Sequence, residues 1–147
     1  MDIQIREYTK EDTKEAIRIW NHIVEEGNAF PQMDCLTEST GEEFFLGQSY
    51  TGIAVDVDRG EIAGNASYAV RWDLRGCQIG EKLVRHCMEQ GKALGYGILQ
   101  FNAVVKSNEA ALHLYQKLGF TRLGVIPRGF LMKDGSFEDI IPHYIAL

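Results

Sequence analysis

The residues best placed to do chemistry lie in 74–84, Leu-Arg-Gly-Cys-Gln-Ile-Gly-Glu-Lys-Leu-Val, where a small, flexible, basic turn follows an apolar strand and opens an amphipathic helix. At a helix start the first backbone N–H groups have no intrahelical partner and the dipole is positive, so a phosphate can collect several hydrogen bonds there. Gly76 and Gly80 let the backbone approach closely, and Arg75 adds positive charge. A second segment, 107–120, carries Asn108 and Tyr115 seven residues apart. Seven residues is two helical turns, so both side chains fall on one face. Taken alone, a Tyr at helical spacing from Ala111, Leu112 and Leu118 is a core residue with a wet hydroxyl, and a glycine pair after a strand is a tight turn. Cys77 has no His at a spacing that would make it a nucleophile, and reads as a passive thiol. His22, His86, His113 and His143 are scattered and read as surface or packing residues.

What must position these segments is bounded by composition. The 147 residues are 45% apolar and 24% charged, which suits one ordinary domain spanning 1–147 that buries a real core. A formal charge of -6 offers no broad basic surface for a nucleic-acid backbone, whereas a local patch of Arg71, Arg75, Lys82 and Arg85 suits a small phosphorylated ligand. Cys35, Cys77 and Cys87 are odd in number and lack paired metal spacing, which argues against a disulfide framework or a zinc site and for a reducing cytoplasm. Residues 1–7 alternate like a half-buried strand rather than forming an apolar signal core, and no later run is long enough to span a bilayer.

The periodicities predict alternating α and β elements. Thr9 to Asp12 reads as a capping arrangement before Ala16, Ile17, Trp20, Ile23 and Val24, which share a helical face until Gly27. Residues 39–45 read as a short helix, 50–57 as a strand, 58–60 as a turn and 62–70 as one more strand. Ile79, Leu83, Val84, Cys87 and Gly91 line a helix that Gly95 closes. Beyond it come a buried strand at 98–105, a helix at 108–118 ending at Gly119, a strand at 120–126, a turn at Asp134 and Gly135, and a last strand at 140–147.

Together, 65–120 resembles the GNAT acyltransferase superfamily, whose acetyl-CoA loop reads Arg or Gln, two residues, Gly, one residue, then Gly or Ala. Arg75, Gln78 and Gly80 occupy those places, so Gln78 stands where the motif has a glycine. The family's second motif, an Asn, a Tyr seven residues on and then Leu-Gly-Phe, matches Asn108, Tyr115, Leu118, Gly119 and Phe120. The resemblance implies an α/β fold with a mixed, mostly antiparallel sheet splayed near its centre, helices on both faces, acetyl-CoA as co-substrate and no metal. It implies that the amides of Arg75, Gly76, Cys77, Gln78, Ile79 and Gly80 bind the pyrophosphate of coenzyme A. Tyr68, Ala69 and Val70 would offer backbone groups to the pantetheine arm, with a backbone N–H near Val70 facing the oxyanion. Asn108 would hydrogen-bond the arm, and Tyr115 would present its hydroxyl to the thioester sulfur. Attack of an amine on the acetyl carbonyl forms an oxyanion that expels a thiolate, and a nearby acid speeds that departure.

No base is evident. The strand before Asn108 carries no carboxylate; Asn102 can order a water, and Glu25 and Glu26 at the end of the first helix read as solvated helix-end charges. Residues 20–30 resemble the phosphinothricin-acetyltransferase branch, which implies a small amine acceptor such as an amino acid or an analogue, with Phe30 in the pocket wall. Where the family places two strands between Gly60 and Arg75, 61–70 offers about ten residues, roughly 33 Å of extended chain, one strand's worth. That leaves the sheet a strand short, or completed by a second copy in a homodimer. The expected activity is therefore acetyl transfer to a small amine by direct attack in a ternary complex. The alternatives are an acyl-CoA-binding sensor without useful turnover and a protein or peptide N-acetyltransferase.

Overall fold

The computed structural model describes residues 1–65 and 68–147. The chain falls into two compact units, one of 1–22 with 35–90 and one of 23–34 with 91–147.

The first unit is built on a four-stranded antiparallel sheet of β1 (Ile3–Glu7), β2 (Gly52–Asp56), β3 (Glu61–Asn65) and β4 (Ala69–Val70), in that order. Strand period two sends Ile3 and Ala54 to one face, and the register shift opposite Ala54 and Val55 leaves Ala63 to join them, where they pack with Leu74, Ile79 and Leu83. The expectation of one strand over 62–70 is corrected. The chain reverses after Asn65, Gly64 pairs with Val70 and Asn65 with Ala69, and two short strands occupy the length allotted to one. Ala66 and Ser67, part of that expected strand, lie outside the described residues. Close approach makes the reversal feasible: a Cβ on Gly64 would sit 2.8 Å from the carbonyl oxygen of Ala69.

Helix α1 (Thr13–Glu26) begins where the capping residues predict and stops at Gly27, whose φ of 70° only glycine adopts freely. Asp12 accepts from the backbone N–H of Thr9 at 2.8 Å and from both Nη atoms of Arg6 at 2.7 Å. Burial works to raise the Asp12 pKa, but the Arg6 guanidinium and the Thr9 donors outweigh it and hold the carboxyl below its usual range. Because Arg6 is half exposed, the ion pair itself is worth little and the cap carries most of the effect. Asp12→Ala is expected to cost about 1–2 kcal/mol, read as a lower urea midpoint. A depressed folded pKa contributes stability that is present above the unfolded value, so the wild type is expected to lose this increment as the pH falls below about 4, and the variant to have none to lose. Helix α2 (Glu38–Leu46) is capped by Thr37, whose hydroxyl accepts from Thr40 N–H.

Helix α3 (Ile79–Ala93) turns Ile79, Leu83 and Val84 inward. In the second unit, β5 (Ile98–Phe101), β9 (His143–Ala146) and β6 (Thr121–Arg122) form one antiparallel sheet with β9 central, and β7 (Ile126–Leu131) pairs with β8 (Phe137–Ile140) in another. Helix α4 is Glu109–Lys117. The apolar runs are read too long in three places. Strand 98–105 is regular only to Phe101, with one bridge from Val105 to Ile140, and its β5 side chains alternate between exposed and half-buried rather than being buried. Residues 120–126 break at 123–125, beside Gly124 with φ 138°. Residues 140–147 break at 141–142, where Pro142 has no N–H to give a ladder. Every pairing among the described residues is antiparallel.

Candidate functional site

In the first unit, β4 leads through a short 3-10 turn (Trp72–Leu74) into 75–78 and then α3. Leu74 and Ile79 are buried and pin the two ends of this turn, while Arg75, Gly76, Cys77 and Gln78 are exposed between them. Gly76 has φ 84° and open space within 4 Å of where a Cβ would stand, and Gln78 has φ 62°. Left-handed residues in a turn fold N–H groups toward one concave side, the arrangement that receives anions, while the Cys77 N–H donates within the turn to Leu74 O at 3.3 Å. Gln78 thus takes the conformation that the motif's glycine would take without strain, at a cost of about 1 kcal/mol. The N–H groups of the first turn of α3 open from the same place.

The charge around the turn suits a diphosphate. The one carboxylate in the first turn of α3, Glu81, is held by Arg85 at 2.9 Å, and Lys82 is exposed. Arg71 is a correction to the basic patch that the sequence predicts: it is buried, and donates to Glu61 at 2.8 Å and Asp73 at 2.7 Å, so it ties the sheet to the turn rather than facing solvent. β4 is the terminal strand of its sheet, and one edge of Ala69 and Val70 is not used by β3. Tyr68 precedes it at φ 60°, its N–H donating to Asn65 O at 2.8 Å.

In the second unit, Asn108 is the N-cap of α4 rather than a residue of its first turn, and its Oδ1 accepts from Ala111 N–H at 3.2 Å. With the oxygen so used, the Nδ2 group carries the donors that a carbonyl would need. Tyr115 sits in a cluster of rings, its centroid 4.7 Å from Phe101, 5.4 Å from Phe120 and 5.5 Å from His143. Burial pushes its phenol up to about 12, so it is an uncharged proton donor at neutral pH. Asn102 is exposed just after β5, and its Oδ1 accepts from Gln100 at 2.6 Å; Phe30 is half-buried outside any regular element. A concavity of about 430 Å³ is lined by Lys106, Ser107, Glu138 and Asp139. Cys35, Cys77 and Cys87 are free thiols. No described helix is long and apolar enough to cross a membrane.

Two features escape the sequence reading. The exposed Trp72 ring carries the Arg18 guanidinium at 4.7 Å and the His22 ring at 4.3 Å, an arrangement that needs α1 and the 72–74 turn in hand and leaves no trace in spacing. His143, read as a surface or packing residue, is fully buried but keeps a polar atom, Nε2, without a partner among the described residues.

Solved structures share this fold at low sequence identity. The chain is similar to a GCN5-related N-acetyltransferase from Kribbella flavida (23% identical, TM-score 0.87, covering 99% of this chain and 98% of that one). It is similar to a GNAT-superfamily phosphinothricin acetyltransferase from Sinorhizobium meliloti in complex with acetyl-CoA (19%, TM-score 0.90, 100% and 89%). It is also similar to a ribosomal-protein-alanine N-acetyltransferase from Brucella melitensis (18%, TM-score 0.88, 98% and 99%). The acetyltransferase (GNAT) family model matches residues 2–120, most of the chain and both segments that carry its motifs, and the protein belongs to that family.

Proposed function

We propose that this acetyltransferase moves the acetyl group of acetyl-CoA to the amine of a small molecule, an amino acid or an amino-acid analogue, by direct attack. The observation that carries the reading is the turn 75–80, with left-handed Gly76 and Gln78 opening onto the first-turn amides of α3. The pyrophosphate binds there and the edge of Ala69 and Val70 that β3 does not use receives the pantetheine amides; the likeness to the family's second motif supports Asn108 Nδ2 as a further donor to the arm. A neutral amine attacks the thioester carbonyl, a backbone N–H at Val70 stabilises the oxyanion, and Tyr115 donates its proton to the departing sulfur. The family model matches 2–120 and the similar solved structures cover 98–100% of the chain, which supports reading 1–147 as one catalytic domain. The likeness of 20–30 to the phosphinothricin branch supports a small acceptor that touches Phe30 and Asn102.

A Cβ at Gly76 meets open space, so the penalty of a β-branched residue there is chiefly backbone strain. Gly76→Val is expected to raise the KM for acetyl-CoA about tenfold with kcat within about a factor of two, whereas Gln78→Gly is expected to bind no worse than wild type. Steady-state kinetics of the two variants check this, and an unchanged KM in Gly76→Val removes the turn from coenzyme binding.

The experiment for the whole reading is free-thiol release from acetyl-CoA across a panel of amino acids, analogues, polyamines and N-terminal peptides. Amine-dependent release with small acceptors is expected. Acetyl-CoA binding without amine-dependent release would favour the sensor instead, and release with peptides alone would move the acceptor to protein.

A further inference from the structure

His143 heads β9, the central strand of its sheet, opposite Phe101 on β5 and Arg122 on β6. Its side chain is 1% exposed. Nδ1 lies 2.6 Å from the carbonyl oxygen of Ile141, which can only accept, so Nδ1 carries the hydrogen and Nε2 presents a bare lone pair. That nitrogen is buried and has no hydrogen-bond partner among the described residues. Buried acceptors are nearly always satisfied, and one kept in an aromatic pocket is there to meet a donor. The pocket narrows the choice. Phe101 and Phe120 supply none, Arg122, paired with His143 from β6, is exposed, and the ring packed against His143 from α4 is Tyr115.

We propose that His143 is a positioning residue for Tyr115, its Nε2 orienting one water molecule that also donates to the Tyr115 oxygen. This rests on the reading of Tyr115 as the proton donor to sulfur. A water that gives one hydrogen to Nε2 and the other to the phenol oxygen leaves the phenol's own hydrogen free for the leaving group. When the C–S bond breaks, its electron pair departs with sulfur and the proton passes from Tyr115 to sulfur. The phenolate keeps the water's hydrogen bond and regains a proton from solvent through that water, matching the one that the acetylated nitrogen releases. His143 ends as it began. Its neutral form is the competent one, and burial first, with the Arg122 charge adding to it against the Ile141 hydrogen bond, holds its pKa below the usual histidine value.

The test compares Tyr115→Phe, His143→Phe, His143→Gln and the double variant Tyr115→Phe/His143→Phe in the full chain. His143→Phe is expected to lower kcat about tenfold, the worth of one lost hydrogen bond, with the KM for acetyl-CoA unchanged. In the Tyr115→Phe background it is expected to do nothing more, and His143→Gln, whose amide can reach the same water, is expected to recover most of the loss. If Tyr115→Phe is slow while His143→Phe is as fast as wild type, or slows both backgrounds by the same factor, the role of His143 is overturned and that of Tyr115 stands. If Tyr115→Phe is itself at full speed, the reading of Tyr115 falls first. Should His143→Phe not fold, nitrogen NMR of the wild-type imidazole decides: an unprotonated Nε2 signal that shifts on Tyr115→Phe supports the arrangement, and one that does not move overturns it.

Discussion

Tyr115→Phe is expected to lower kcat by about 10²–10⁴-fold while the KM for acetyl-CoA changes by less than about a factor of two. The substitution removes one oxygen from a ring whose packing against Phe101 and Phe120 is otherwise kept, so binding and fold lose little. Expulsion of a thiolate without a proton donor is the step that suffers. A phenol at about 12 stays protonated across the working range, so no loss of rate from its ionisation is expected below about pH 10. The check is a kcat and KM determination from pH 6 to 10 on both proteins. A variant as fast as wild type would take the phenol out of the chemistry.

Gly64→Ala is expected to destabilise the first unit. The new Cβ would lie 2.8 Å from the Ala69 carbonyl oxygen and 3.2 Å from Leu83 Cδ1. The leucine tip can yield, but the carbonyl belongs to β4 and moves only if the strand does. A cost of about 2–3 kcal/mol is expected from overpacking, seen as a fall in melting temperature. Because displacement of β4 takes Ala69 and Val70 with it, the KM for acetyl-CoA is expected to rise about tenfold or more. Unchanged melting and an unchanged KM together would show that β4 is not held at Gly64 and does not position the coenzyme.

Helix ends are legible in the sequence because their signals are local: Thr9 and Asp12 cap from within a few residues and Gly27 ends α1. The turn at 75–78 is legible for the same reason, and the left-handed φ at Gln78 is the conformation that a missing glycine implies. Strand lengths are not. An apolar run carries no mark of where its ladder ends, so 98–105 and 140–147 look continuous until pairing and Pro142 divide them. The pair β3 and β4 hides inside one run because the close approach of Gly64 to Ala69, which lets the two strands pair, leaves no mark in the apolar pattern. Arg71 looks like surface charge because its partners, Glu61 and Asp73, come together only in the fold. His143 looks inert because the hydrogen bond that fixes its tautomer is made by a carbonyl two residues back, which spacing does not reveal.

The most direct measurement is hydrogen exchange of the backbone amides with and without saturating acetyl-CoA. The expected result is marked slowing at 76–81, where the turn and the first amides of α3 would bond the pyrophosphate. Coenzyme binding with exchange at those amides unchanged, and protection elsewhere, would contradict it.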